Sequence, residues 1–289
     1  DAFRINGEIG TSTVDVSNAG TIFSATGQAI DFDAISVASG TVTITNLAGG
    51  LIRAAEADAV RPGNGATVDN AGTICVGDFA AGICSGGVPD ENHDGVDWQD
   101  KAGTLINRTG GLISGARHGT TSDVDVDVTN EAGATIIGRN GSGVGSDGDG
   151  TVVNFGTITG TVDGVSANGD GDGVDIDFAA DITNHGTIQG LGAAGVGSDG
   201  QTNGADGIAM GGGSVVNHSG AAIFGAANGI LVDDSSNGGA FSATLLANDG
   251  SIAGQTGYGV RFVGAQNDSF ANSGSVAGGT VAIDLGGGD

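Results

Sequence analysis

The sequence predicts an all-β fold: a single-stranded parallel β-helix, or three-sided β-solenoid, of about ten coils. Three observations carry this. A phrase built on asparagine, glycine and isoleucine keeps returning, as "VSNAGTIFS" (16–24), "VVNFGTITG" (152–160) and "ITNHGTIQG" (182–190). Within each return apolar and polar residues alternate, as in "TVDVSN" (13–18) and "DVDVDVTN" (123–130), which is the period of a strand. No window sustains a helical stripe.

The first element of the repeat is an asparagine column: Asn18, Asn46, Asn70, Asn107, Asn130, Asn154, Asn184, Asn217, Asn248 and Asn272. Two residues before each stands an apolar residue, from Val16 and Ile44 to Leu246 and Phe270. Parity therefore turns the asparagine inward. A buried amide must be hydrogen-bonded, and stacked copies can donate to one neighbour and accept from the other. Asparagine also tolerates the left-handed backbone that a sharp corner can require, so the column is expected to mark a bend.

The second element is an aliphatic residue downstream of that bend. It falls four residues on at Ile22, Ile74, Ile158, Ile188, Ile252 and Val276, and six on at Ile52, Ile113, Ile136 and Ile223. A glycine always intervenes. The third element is a small residue followed by an apolar one. It is read at Ala2-Phe3, Ala34-Ile35, Ala59-Val60, Gly95-Val96, Gly143-Val144, Gly164-Val165, Gly207-Ile208, Gly229-Ile230, Gly259-Val260 and Ala282-Ile283. Aspartate often precedes it, as at Asp1, Asp33, Asp58, Asp94, Asp163 and Asp206, and the stretch 117–123 ("RHGTTSD") offers no good match. Residues 1–289 are thus expected to form one continuous solenoid, interrupted by a loop insertion at 76–101.

Composition narrows the class. Sixty glycines without a period of three exclude collagen, and regularly placed Val and Ile argue against disorder. Eight Lys and Arg against 34 Asp and Glu give a formal charge of -26. Such a surface repels phosphate backbones and anionic lipid, so nucleic acid and membrane surfaces are not expected partners. No apolar run approaches the roughly 18 residues of a membrane span. The chain starts at Asp1 without Met, as a processed or excised piece would, and neither end carries an obvious cap, so further coils or paired ends are expected. Cys75 and Cys84 are the only cysteines and read as a disulfide closing one loop, hence an oxidising compartment.

Two places could hold chemistry. The 76–101 insertion gathers Glu91, His93, Asp94, Asp97 and Asp100 with the only tryptophan, Trp98, and the only lysine, Lys101. An exposed ring beside carboxylates could hold a sugar, and Asp94 with Asp97 could bind a cation. The runs "SDGDG" (146–150) and "DGDGVDID" (170–177) supply Asp147, Asp149, Asp170 and Asp172 as candidate calcium ligands, although neither matches the twelve-residue helix-loop-helix site. Carboxyl pairs about 5–9.5 Å apart, as glycosidases use, arise automatically on stacked coils and so single out nothing. With eight scattered basic residues, a lyase centre is not expected. No catalytic residue is assigned and no cofactor is expected apart from calcium.

The pattern "VxNxGTIxG" with "DG(V/I)" between repeats, over nearly the whole chain, resembles the β-helical passenger regions of bacterial autotransporters and related surface adhesins. The asparagine corner is also similar to the ladder of right-handed parallel β-helix proteins such as pectate lyases. The resemblance implies a right-handed coil, export to the bacterial cell surface, and a membrane-embedded barrel following in the full-length protein. The expected function is a structural or adhesive surface rod whose loops meet a receptor, a glycan or neighbouring copies of itself. The alternative is a carbohydrate-active enzyme or carbohydrate-binding β-helix using the 76–101 insertion.

Overall fold

The structure, a computed structural model, describes residues 1–87, 93–162, 168–197, 200, 202–233 and 240–287. Among these residues there is no helix, and therefore none long and apolar enough to cross a membrane. Three parallel sheets carry the fold. The first stacks eleven strands from Phe3–Arg4 to Val281–Asp284. The second stacks ten, from Thr13–Asn18 to Ser269–Asn272. The third stacks ten parallel strands from Thr21–Ser24 to Ser275–Gly278, and Asn140–Gly141 adds antiparallel to its Thr157–Val162 strand. Each coil visits the three sheets in turn, so every strand pairs with its counterparts one coil earlier and one coil later. This is the three-sided parallel β-helix that the repeat predicts.

Alternation decides what goes inside. In Thr41–Asn46 the pattern is exposed, buried, half-buried, buried, half-buried, buried, which places Val42, Ile44 and Asn46 in the core. Val68, Leu105, Val152, Ile182 and Val215 continue the Ile44 row, and Ile52, Ile74, Ile113, Ile158 and Ile188 form the facing row; all are fully buried. Neither face of one coil could exclude water alone. The core exists because like residues stack on like, each capping the one below.

The asparagines form the ladder. Each Nδ2 donates to the Oδ1 of the next coil's asparagine at 2.7–2.9 Å, without a break from Asn18 to Asn272. The same Nδ2 also reaches the next coil's backbone, as from Asn46 to Thr73 O at 3.1 Å. The eight asparagines from Asn46 to Asn248 are completely buried.

The left-handed reading of these corners is corrected. Among the described non-glycine residues only Ala81 and Gln99 have positive φ, so each asparagine ends its strand in ordinary extended backbone. Close approach, rather than backbone hand, explains the glycine that follows. A Cβ on Gly156 would lie 2.3 Å from Ala134 O and 2.7 Å from Asn130 Nδ2. The longer corners do need positive φ, but at the additional glycine, as at Gly110 with φ +81°.

The small-apolar column needs three corrections. Register places Ile30, not Ile35, against Phe3 and Val60. Both Ala29-Ile30 and Ala34-Ile35 satisfy the pattern, and the backbone bond from Phe3 N to Ala29 O decides between them. Ile35 is buried as well, folded back so that its N–H meets Phe32 O. In a later coil Gly173-Val174 fills the column between Val144 and Ile208. Asp163, Gly164 and Val165, read as that coil's signature, lie outside the described residues. Finally, the unmatched "RHGTTSD" is a regular coil. Thr120 takes the valine position, fully buried, paired with Val96 and Val144. Threonine has the shape of valine, and its hydroxyl is satisfied by the Trp98 indole N–H at 3.3 Å.

Replacing Asn154 by Ala should remove one rung and leave Asn130 and Asn184 each with a weakened set of partners. The expected cost is about 1–3 kcal/mol in urea unfolding. Thr151→Ala, on the exposed side of the same strand, should cost less than about 0.5 kcal/mol. Equal effects would mean that the ladder is not what holds the coils in register.

Candidate functional site

Cys75 and Cys84 form a disulfide, with their Cα atoms 5.9 Å apart. It closes an antiparallel hairpin of Asp78–Ala80 and Ile83–Ser85 that leaves the coil after the third sheet. Ile83 on its return strand is 65% exposed. Arg53 fastens the base, with its guanidinium bonded to Gly77 O and 2.8 Å from Asp78. From two coils further on, Arg139 donates to Val76 O at 2.6 Å.

Residues 93–101 of the expected insertion are not a loop, and residues 88–92 lie outside the described ones. Val96–Asp97 is a strand of the first sheet, so residues 93–101 run within a regular coil. Glu91 lies outside the described residues. Trp98 is 1% exposed, and its indole fills the space that Gly103 leaves, where a Cβ would come 1.9 Å from the ring. A ring so buried offers no face to a sugar. Asp94 and Asp97 are 3% and 5% exposed, and Lys101 is buried between Asp33 at 2.7 Å and Asp100 at 2.6 Å. His93 accepts the N–H groups of Ala116 and Arg117 at its backbone carbonyl, so it helps join two coils.

The aspartates preceding the small-apolar pair form a second column. Asp58 Oδ1 accepts the backbone N–H of Asp94 at 2.8 Å, and Asp94 Oδ1 accepts that of His118 at 2.7 Å. Further along, Asp172 accepts the N–H of Asp206. Asp206 accepts the N–H of Asn228 at 2.8 Å, and Asn228 Oδ1 accepts that of Tyr258 at 2.8 Å. Between these two runs stands Ser142, buried at 1% exposure, too short to reach the next coil; its Oγ has no hydrogen-bond partner.

The two runs differ in charge compensation. In the first, burial and the neighbouring Asp94 raise the Asp58 carboxyl despite Arg61 at 2.7 Å. Burial, with Asp58 and Asp94 close by, pushes Asp97 up to about 7. Burial would also raise Asp94, but His118, with Nδ1 at 3.3 Å, outweighs it and holds that carboxyl below its ordinary value. In the second run Asp172, and beside it the half-buried Asp175, are raised well above the usual range, first by loss of hydration and then by surrounding carboxylates. Burial raises Asp206 to about 6, against the opposing pull of Asn228.

Asp147, Asp170 and Asp172 line one cavity of about 370 Å³, together with Asp175, Asp177 and Asp206. Arg117 and His118 form part of its wall. Oxygens of Asp170, Asp172 and Asp175 lie within 4.8 Å of one another, and so do those of Asp58, Asp94 and Asp97. Asp149, the fourth expected calcium ligand, faces a different groove with Asp125 and Asp127, and its Oδ1 accepts the N–H of Ala179 at 2.9 Å. Asp175 and Asp206 were not singled out by the acidic runs. Asp175 comes in by strand parity, and Asp206 by stacking one coil above Asp172.

A further surface feature follows from the ladder. Phe155, His185 and His218 each follow a ladder asparagine, and their rings stack on the outer corner at 4.5 Å and 3.9 Å. Comparison with protein-family models, with curated proteins and with solved structures gives no match.

The placement of Trp98 makes an optical prediction. Native emission should be blue-shifted and resistant to acrylamide, and should not respond to added oligosaccharides. Red-shifted, readily quenched emission would put the ring at the surface.

Proposed function

We propose that this chain is the rigid rod of a secreted or bacterial cell-surface protein, structural or adhesive, that holds its hairpin and corner loops out toward a partner. The observation that carries the reading is the unbroken ten-asparagine ladder from Asn18 to Asn272, with a covalently closed hairpin standing off it. Ten coils at about 4.8 Å each give a rod of roughly 48 Å. A disulfide suits an oxidising exterior, and a charge of -26 suits a molecule that must stay dissolved among anionic surfaces. The resemblance of the repeat to autotransporter passengers and surface adhesins supports the same location. Partners consistent with the reading are a surface receptor, a glycan or neighbouring copies of the chain.

The test is binding of the labelled chain to intact cells and immobilised glycans, beside a variant in which a short glycine link replaces residues 78–85. The adhesive reading expects binding by the parent and its loss in the variant, with circular dichroism and melting temperature preserved. Turnover of an acidic polysaccharide, seen as new reducing or unsaturated ends, would transfer the assignment to the carbohydrate-active class.

A second reading concerns calcium. Asp170, Asp172 and Asp175 bring oxygens within 4.8 Å of one another, a hard-cation donor set, with Arg117 and His118 on the wall of the same cavity. If calcium occupies the site, millimolar calcium should raise the melting temperature by a few degrees and chelator should reverse it. A melting curve indifferent to both removes calcium from the account.

A further inference from the structure

The corner after the asparagine ladder repeats one backbone geometry from Leu47 to Ser273, and only the side chain it presents outward changes. The residue following each ladder asparagine donates its N–H to the carbonyl of the asparagine one coil earlier. Phe155 bonds to Asn130 at 2.7 Å, His185 to Asn154 at 2.7 Å, His218 to Asn184 at 2.9 Å and Asp249 to Asn217 at 2.8 Å. These four residues therefore stand above one another, about 4.8 Å apart. The chain has four histidines, and two of them fall at this position on adjacent coils. Their rings lie face to face, with centroids 3.9 Å apart and planes 7° apart, and the Phe155 ring closes one end of the stack at 4.5 Å. His185 is exposed and His218 half-buried, and among the described residues neither imidazole is taken up by a hydrogen bond or an ion pair. At the other end stands the exposed Asp249, one of whose oxygens accepts the Ser273 hydroxyl.

We propose that His185 and His218 form a two-histidine site for a divalent transition-metal ion such as zinc, nickel or copper, with the Asp249 carboxylate as an oxygen ligand one coil further on. Imidazole nitrogen suits these ions, whereas calcium and magnesium take oxygen, so the site differs in kind from the carboxylate cavity. Two nitrogens bound to one ion at about 2.0–2.1 Å lie roughly 3.0–3.4 Å from each other. The 3.9 Å between the ring centroids is close to that separation. Parallel rings aim their lone pairs side by side, so ligation turns each imidazole about its Cβ–Cγ bond until the lone pairs converge. The backbone stays where it is, because the strands that end at Asn184 and Asn217 are already paired in register. Water completes the shell on the open side of the corner.

The neighbouring coil provides the control. Phe155 shows that a phenyl ring serves at this corner when stacking is all that is needed. His185→Phe and His218→Phe should therefore keep the stack while removing the ligating nitrogens. His185→Gln and His218→Gln offer a second, independent pair. Asp172→Asn alters the carboxylate cavity and leaves the histidine corner untouched.

The experiment is calorimetric titration of the chelator-treated, dialysed chain with zinc chloride at about pH 7.5, where free imidazole is mostly unprotonated. Millimolar calcium is present throughout to occupy carboxylate sites. The parent should bind zinc, and copper(II) bound in its place should show electron paramagnetic resonance hyperfine structure from two nitrogens. Each histidine variant should weaken zinc binding at least about tenfold, the smallest loss that removing even an outer-shell partner of a metal brings. Asp249→Asn should weaken it less, and Asp172→Asn should bind as the parent does. Circular dichroism and melting temperature of the metal-free phenylalanine variants should match those of the parent. The proposal is overturned if the parent binds no zinc, or if the histidine variants bind it as tightly as the parent. It is equally overturned if copper shows fewer than two nitrogens, or if Asp172→Asn abolishes binding while the histidine variants retain it.

Discussion

In-register stacking of identical side chains is the constraint on which this structure depends. A parallel strand pair satisfies its backbone whatever the side chains are, so backbone bonds alone would let coils slip. The asparagine amide removes that freedom. Its buried Nδ2 donates to the Oδ1 of the asparagine one coil away and to a carbonyl of that same coil, and both acceptors are in place only when the coils are in register. A slip of one residue would turn the amide outward and leave its neighbours' polar groups buried without partners, at a cost of kilocalories on each side. The variable coil length, 23 to 37 residues between successive ladder partners, is tolerated because extra chain leaves at the corners and rejoins before the next rung.

The aspartate column shows the same geometry with different chemistry. An amide carries both a donor and an acceptor, so it can be stacked indefinitely and stay neutral. A carboxylate has only acceptors, so it cannot bond to its own kind without a proton and bonds to the backbone N–H of the next coil instead. Each such rung adds a buried charge. The chain meets this in several ways: a partner cation at Arg61, an imidazole at His118, neutral substitutes at Ser142 and Asn228, and, at Asp172 and Asp206, carboxyls that share a cavity wall with Arg117 and His118.

Most of the fold could be read from the chain because a solenoid turns three-dimensional proximity into periodicity. The asparagine and isoleucine columns correspond residue for residue to paired strands, including the six-residue corners. Reading failed where two segments satisfied one pattern, as at Ala29-Ile30 and Ala34-Ile35, because pattern has no access to pairing. It failed again where chemistry and shape diverge. Thr120 is polar by composition and valine-like by volume, and only the Trp98 N–H opposite makes it acceptable in the core. The candidate site was less legible for a related reason. Asp147, Asp170 and Asp172 stood out as glycine-flanked acids, but Asp206 reaches their cavity by lying one coil later, 34 residues away from Asp172. The tryptophan misled for the opposite reason: neighbouring acids suggested a surface loop, while the strand at Val96–Asp97 carries it inward.

Charge is distributed along the rod in a way that separates its two halves. Through residue 139 seven basic residues stand among the acids and several are paired across coils, such as Arg108 with Asp69 and Glu131 at 2.8 Å and 2.9 Å. Residues 140 to 260 contribute no lysine or arginine of their own. Repulsion between stacked coils must then be opposed by the apolar rows and the amide ladder, which continue unchanged through this half as Ile158, Ile188, Ile223 and Ile252 beside Asn154, Asn184, Asn217 and Asn248. The ladder therefore does more in the anionic half than in the paired one. Register in that half is held at the asparagine corner, by amides that carry no charge.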